Sequence, residues 1–382
     1  MIRRKTDTEA GEKMEKERQS AAEGRLFGPD LIRLLAMLLV VFYHFNMELW
    51  TFGIRSAWFV TDFGRNVGIG ELGSSLFLIL SGYMACRSLE RDKTEKRTAR
   101  CANFYRKRFL SIFPLYYTAY FAAYLLVMLP EGILPGWRMV YTLFGIDGYL
   151  AAHGVKTFYL LGEWFTGAVI LFYLAAPALN LLRKKQPVIF LVLLAVIKIA
   201  GIYFAKSVVH TDNDVIFYLA DFMAGLYLGG LKKKLPEAAA PVSGIIAAAA
   251  ILWKTPFDRR FVMLPLSLGI FILLLFLGDL LARPERLFFR KGRNIVSALA
   301  KESFAVFLVH HVLVSRLLQG IRNCSMGRKL YIAVFLLYLV LSFILAFFLN
   351  GAGKRLTAAA EGWFSRKDRR LSGHHKNFEE RQ

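Results

Sequence analysis

An arginine and a histidine, Arg33 and His44, stand eleven residues apart in one long apolar stretch of the chain. Residues 30–50, DLIRLLAMLLVVFYHFNMELW, are numerous and apolar enough to cross a membrane as a helix. Eleven helical residues turn through about 1,100°, so the two side chains lie about 20° apart around the helix and about 16 Å apart along it. The two ionisable groups are therefore predicted to share one face.

These residue types suit acid–base chemistry beside an anion-binding group. A histidine titrates near neutral pH and can act as a general base. An ionisable residue within a membrane span normally points into the bundle and marks a functional path. Asp30 lies three residues before Arg33, close enough on a helix to pair with it. His44 could equally be a hydrogen-bonded, inert residue of the bundle, and both interpretations stay open at this point.

Three further polar side chains are candidates for the same interior. His310 and His311 are adjacent in a late apolar segment, and their side chains point about 100° apart, so at most one is expected to share the interior with His44. Glu163 begins the outer half of the fourth apolar segment. Neither the histidines nor the three cysteines have the spacing of a metal site, so no metal is predicted.

The composition is that of an integral membrane protein. Of 382 residues, 56% are hydrophobic, in long blocks separated by short charged ones. The pattern predicts an all-α polytopic bundle of about ten transmembrane helices. The predicted spans cover residues 31–50, 68–86, 109–129, 158–182, 187–206, 213–231, 239–253, 262–282, 296–318 and 330–350.

The lysines and arginines predict the orientation. The termini and the loops after the even-numbered spans hold 35 of them, and the other loops hold 12. The positive-inside rule then predicts a protein of the cell membrane with both termini in the cytoplasm. We therefore predict three parts: a basic, disordered tail (1–29), a transmembrane domain (30–350) and a second basic tail (351–382). The net charge of +22 sits in loops rather than on a soluble surface, which argues against nucleic acid as a partner.

The most basic loop, residues 87–108, is predicted to face the cytoplasm and ends in Arg106-Lys107-Arg108. An anionic cytosolic ligand would be attracted to it. The same charges could instead only set the topology and bind anionic lipid headgroups.

A glycine motif at residues 68–73, GIGELG, fits the dinucleotide-binding pattern G-x-G-x-x-G. That pattern binds nucleotides only in a turn between a strand and a helix. Here it opens a predicted membrane helix, so the glycines are interpreted as sites of close helix packing.

Five segments in order resemble the acyltransferase 3 family, multi-spanning membrane O-acyltransferases that modify sugars and other hydroxyl-bearing molecules. The resemblance extends from residue 30 to about residue 350. The matching segments are DLIR at 30–33 with VVFYHF at 40–45, LFLILSGY at 76–83, RKRFLSIFPLYY at 106–117, the residues Trp164, Phe172, Tyr173 and Pro177, and FLVH at 307–310.

The resemblance implies transfer of an acyl group, with acetyl expected, from cytosolic acyl-CoA to a hydroxyl of a cell-envelope glycan or lipid-linked sugar. It implies donor contacts at Arg33, Arg106, Arg108 and Ser81, and catalytic roles for His44 as general base and for Arg33, Asp30, Glu163 and His310. Two departures stand out: Ser111 occupies the place of a family arginine, and Val169 and Ile170 occupy the place of family glutamates.

A transporter or flippase of a glycan or small solute is the alternative function. Many membrane spans with charged residues in the bundle interior are expected of a transporter as well. The two halves show no internal repeat and no matching pair of broken helices, which favours the enzyme.

Overall fold

The computed structural model describes residues 27–56, 58–63, 67–158, 161, 163–204, 215–232, 235–252, 259–283, 287–321 and 323–379. The tail predicted for residues 1–29 lies outside these ranges except for its last three residues, which are helical. The described ranges hold helices and four two-residue strands. In chain order they are α1 (Phe27–Thr51), β1 (Arg55–Ser56), β2 (Asp62–Phe63), β3 (Val67–Gly68), α2 (Ile69–Arg91), α3 (Arg97–Ala123), α4 (Met139–Leu143), α5 (Asp147–Ala152), α6 (Glu163–Lys185), α7 (Pro187–Phe204), α8 (Val215–Gly229), α9 (Ala239–Leu252), α10 (Arg259–Ala282), α11 (Leu287–Gln319), β4 (Ser325–Met326) and α12 (Arg328–Glu379).

The predicted all-helical class is confirmed over the part of the chain that the structure describes. Seven of its helices (α1, α2, α3, α6, α10, α11 and α12) are long and apolar enough to cross a membrane. The predicted fifth, sixth and seventh spans correspond to the shorter apolar helices α7, α8 and α9. Helix α3 begins twelve residues before the predicted span at 109, because the basic segment ahead of it continues the same helix.

Helix α1 packs against α2, α10 and α11. The glycine motif makes the contact with α2 close. A methyl group at Gly70 would lie 2.6 Å from the ring of Tyr43, and one at Gly73 would lie 2.8 Å from a methyl of Val40. The interpretation of these glycines as packing positions is confirmed.

Helix α2 makes an equally close contact with α8 on its other side. A methyl group at Gly82 would overlap the carbonyl oxygen of Phe222, and one at Gly225 would overlap the carbonyl oxygen of Ile79. The two backbones therefore touch, and only glycine fits at either position.

A buried ion pair joins α7 to α8. The Lys198 ammonium lies 3.2 Å from Oδ1 of Asp221, and the Ser75 hydroxyl on α2 donates to Oδ2 of the same carboxylate at 3.0 Å. All three side chains are buried. Each charge is compensated, which is the condition for burying ions inside a bundle.

Short strand pairs and a buried amide organise the end of the bundle where His44 lies. Strand β1 pairs in parallel with β4, and β2 pairs antiparallel with β3. Oδ1 of Asn46 accepts hydrogen bonds from the backbone N–H of Val60 at 3.2 Å and from the hydroxyl of Tyr331 at 3.0 Å. These bonds fix the end of α1 against the following loop and α12.

Candidate active site

Three histidines meet between α1 and α11. The ring centroid of His44 lies 5.0 Å from that of His310 and 4.9 Å from that of His311. His310 is fully buried and His44 is partly exposed, whereas His311 is 43% exposed. One histidine of the adjacent pair is therefore interior, as the helical period predicts, yet both rings contact His44.

The tautomer of His310 follows from its contact with the backbone. Its Nδ1 lies 2.6 Å from the carbonyl oxygen of Phe307, and a carbonyl can only accept, so Nδ1 carries the hydrogen. Nε2 then carries the lone pair. This buried nitrogen has no hydrogen-bond partner among the described residues. It is an acceptor available inside the bundle.

Glu48 lies one helical turn beyond His44 but contacts another ring. Its Oε1 lies 3.8 Å from Nδ1 of His311, and its side chain is buried. The carboxylate therefore positions His311 at the edge of the cluster.

Arg33 is held by the carboxylate that its spacing predicts. Its guanidinium donates to Oδ1 of Asp30 at 3.0 Å, and the Ser297 hydroxyl on α11 donates to Oδ2 at 2.8 Å. Asp30 is buried, whereas about a quarter of the Arg33 side chain is exposed. Asp30 thus holds the guanidinium, and part of the Arg33 side chain stays accessible.

Arg108 is held by two aromatic rings and a carbonyl. Its guanidinium carbon lies 5.1 Å from the ring centroid of Phe104 and 4.6 Å from that of Tyr173, and one terminal nitrogen donates to the carbonyl of Met84 at 3.2 Å. Cation–π contacts of this kind hold a guanidinium in place without neutralising its charge.

Both arginines line one cavity of about 260 Å³ between α1, α2, α3, α6 and α11. Its walls are mostly apolar, with a few hydroxyl groups. The lining residues are Arg33, Phe77, Leu80, Ser81, Met84, Arg108, Ser111, Ile112, Phe165, Thr166, Val169, Tyr173, Ser303, Phe304 and Phe307. Of the residues predicted to contact a donor, Arg33, Arg108 and Ser81 line the cavity, and Arg106 does not.

One aromatic ring of the cavity wall also contacts a histidine. Phe307 lines the cavity, and its ring centroid lies 5.5 Å from that of His310. His44 is not among the lining residues. The predicted site residues thus form two groups, one around Arg33 and one around His44. Phe307 lines the cavity of the first group and contacts His310 of the second.

Glu163 is the first residue of α6, and its side chain lies outside the part of the structure that is described. Thr166, one turn further on, was missed by the sequence reasoning. Its hydroxyl is buried at the cavity wall and has no hydrogen-bond partner among the described residues. The sequence around Thr166 does not reveal this role, because the role depends on how neighbouring helices pack against the threonine.

A second polar cluster, also missed, joins Tyr116 of α3 to the segment between the third and fourth predicted spans. The carboxylate of Asp147 accepts from the hydroxyls of Tyr116 at 3.0 Å and Thr142 at 3.1 Å and from the N–H of Gly148 at 3.0 Å. Burial raises the pKa of Asp147 despite these three hydrogen bonds. The cluster attaches the short helices α4 and α5 to α3.

A bundle of apolar helices around a cavity with two arginines in its wall is typical of a membrane protein that binds a ligand in its interior. A match to a known protein family identifies this class of membrane protein. A family model described as an acyltransferase domain matches residues 26–351. The chain therefore belongs to the acyltransferase 3 family, and it is a membrane acyltransferase. No curated protein and no solved structure matches it.

Proposed function

We propose that this enzyme transfers an acyl group, with acetyl as the expected case, from acyl-CoA to a hydroxyl of a cell-envelope glycan or lipid-linked sugar. The observation that carries the proposal is the cavity with Arg33 and Arg108 in its wall. Acyl-CoA combines phosphates with a narrow, mostly apolar arm. A cavity with fixed guanidinium groups and apolar walls is complementary to both parts.

The donor would lie with its phosphates near the two arginines and its pantetheine arm in the cavity. Arg106, on the same basic segment, would add to the attraction without entering the cavity. The arm contains amides, which lose hydrogen bonds to water on entry. Ser81 and Ser303 line the cavity, and their hydroxyls would replace some of those bonds.

His44 would act as general base. It accepts the proton of the acceptor hydroxyl as that oxygen bonds to the acyl carbon. The carbon–sulfur bond then breaks, and the protonated His44 gives this proton to the departing thiolate. The products are the ester and free CoA. No serine or cysteine nucleophile is needed. His310, fixed through Nδ1, would hold the ring of His44 and could accept a hydrogen bond from it at Nε2.

Three further predictions from the sequence belong to the proposal. The protein lies in the cell membrane with both termini on the cytoplasmic side, so the Arg33 end of the cavity opens toward cytosolic acyl-CoA. The partly exposed His44 then faces the acceptor from the other side. Glu163 is proposed as an additional acid near the acceptor, and Asp30 as the residue that positions Arg33.

The test uses full-length protein in lipid nanodiscs. Binding of radiolabelled acetyl-CoA is measured first, and glycans from cells with and without the gene are then compared by mass spectrometry. We expect saturable binding and an acetyl mass that is lost with the gene. Transport of a labelled solute into vesicles without consumption of acetyl-CoA would instead favour the transporter.

A further inference from the structure

Three phenylalanines from three helices lie next to one another in the cavity wall. Phe77 on α2 and Phe165 on α6 have ring centroids 5.8 Å apart, and Phe165 and Phe307 on α11 have theirs 5.1 Å apart. All three rings line the cavity. We refer to them as the phenylalanine layer.

The phenylalanine layer is displaced by about two helical turns, along α2 and α6, from the residues that hold Arg108. Phe77 precedes Met84 by seven residues, and Met84 provides the carbonyl that binds Arg108. Phe165 precedes Tyr173, which stacks on Arg108, by eight residues. At 1.5 Å per residue, both separations are about 10 Å or slightly more. A donor held at the arginines would thus extend its thioester end toward the layer.

The histidines lie directly on the other side. The ring of Phe307 is 5.5 Å from that of His310, and His310 is 5.0 Å from His44. Phe307 is the one layer member for which the described residues show a ring contact with a histidine. Its ring is 5% exposed, so little space is left around it. An acyl carbon in the cavity meets this ring before it meets an imidazole.

We propose that Phe307 is a movable partition that separates the acyl donor from His44 until the acceptor binds. The inference rests on the proposed function of this cavity. The backbone of Phe307 is fixed, because its carbonyl accepts the hydrogen bond from Nδ1 of His310. The side chain alone must therefore turn. The partition and the residue that holds the base occupy consecutive turns of one helix.

The partition would protect the donor from water. His44 is partly exposed, so water can approach the base from that side. If the thioester were open to that water, the water oxygen would bond to the acyl carbon, the carbon–sulfur bond would break, and the two protons of water would end on the thiol and the free acid. Acyl-CoA would be consumed without transfer. An aromatic ring in the path keeps this hydrolysis slow.

The experiment measures release of free thiol from acetyl-CoA by the full chain in nanodiscs, with no acceptor added. We expect Phe307→Ala to raise this rate about tenfold over wild type at saturating acetyl-CoA, and Phe307→Leu to raise it by a smaller factor. Phe271→Ala is the matched control. Its ring is also fully buried and contacts Tyr83, outside the cavity, so its rate should equal that of wild type.

A second variant tests the connection to the histidine. Phe307→Ala combined with His44→Ala should return to the low wild-type rate, because the water then has no base. Two results would overturn the partition: a Phe307→Ala rate equal to wild type with unchanged acetyl-CoA binding, or a raised rate that survives loss of His44. If the alanine variant does not fold, the leucine variant decides by the same criteria. Failure of wild type to bind acetyl-CoA would refute the proposed function itself.

Discussion

The rings of His44 and His310 meet edge to face across the contact between α1 and α11, with centroids 5.0 Å apart. His310 is fully buried and hydrogen-bonded to its own helix through Nδ1, whereas His44 is partly exposed. The buried ring of His310 can position the ring of His44, and the partly exposed ring of His44 can react. This division supports His44 as the proton acceptor and His310 as its support.

Replacement of His44 by alanine should lower acyl transfer about a thousandfold, because a positioned general base contributes about 10²- to 10⁴-fold. Transfer is measured with radiolabelled acetyl-CoA on membranes that contain equal amounts of folded protein. His153→Ala is the control: its Nδ1 also lies near a backbone carbonyl, that of Tyr149 at 2.9 Å, and its described ring contact is with Tyr149 and not with the three-histidine cluster. Full activity of His44→Ala would remove His44 from the mechanism.

Arg108→Lys should weaken binding of acetyl-CoA about tenfold while the charge is retained. A lysine cannot keep the flat contact with Phe104 and Tyr173 while it also reaches the cavity. Equilibrium binding in nanodiscs measures the effect. Arg138→Lys, which changes an arginine stacked on Trp137 away from the cavity, should bind like wild type. Equal affinities for both variants would exclude Arg108 from the donor site.

Asp30→Asn should raise the Michaelis constant for acetyl-CoA by about fivefold and lower the turnover number less. The change keeps the shape of the side chain but weakens its charge-assisted hydrogen bond to Arg33, and such bonds contribute roughly 1.5–3 kcal/mol when a charge is involved. Ser297→Ala removes only the hydroxyl that supports Asp30 and should have a smaller effect. Steady-state kinetics separate the two constants. A larger effect of the serine change would contradict the assigned order.

Lys198→Met should destabilise the protein by about 3–5 kcal/mol, because Asp221 would remain as a buried charge without its cation. The double variant Lys198→Met with Asp221→Leu should recover most of this loss, since both charges are then gone. Unfolding in mixed micelles measures the free energy. Lys107→Met is the control, because Lys107 is 60% exposed and lies 3.9 Å from Asp92. No recovery in the double variant would contradict a simple ion pair.

Stability should fall as the pH rises past the ordinary pKa of Asp147. Burial raises the pKa of this carboxyl above 3.8, so between 3.8 and the raised value the folded state binds more protons than the unfolded state. In that window, deprotonation favours unfolding. Asp147→Asn should remove this part of the pH dependence.

Thermal unfolding from pH 3.5 to pH 8 compares Asp147→Asn with wild type and with the exposed control Asp62→Asn. The control should follow the wild-type profile. Parallel profiles for Asp147→Asn and wild type would show that the carboxyl is not responsible.

The residues of the site were predictable from the sequence where one helix brings them together. The pairing of Asp30 with Arg33 follows from a spacing of three, and the packing role of Gly70 and Gly73 follows from their place in an apolar helix. The resemblance to the family is confirmed over residues 26–351.

Contacts between helices could not be predicted in the same way. The approach of His310 and His311 to His44 depends on how α11 crosses α1, and no periodicity within one helix contains that angle. The same holds for Phe307 and Thr166 at the cavity. The helix boundaries also shifted where charged residues continue a helix beyond the apolar segment, as at the start of α3.

The glycine contact between α2 and α8 determines which parts of the enzyme can yield during a catalytic cycle. Because the backbones touch at Gly82 and Gly225, the two helices cannot approach further and are expected to move as one rigid unit. The cavity wall that α2 provides is therefore expected to stay in place when a substrate enters. Movement that widens the cavity would come from the other lining helices, and the contact between α6 and α11 at Phe165 and Phe307 is made by side chains that can rotate.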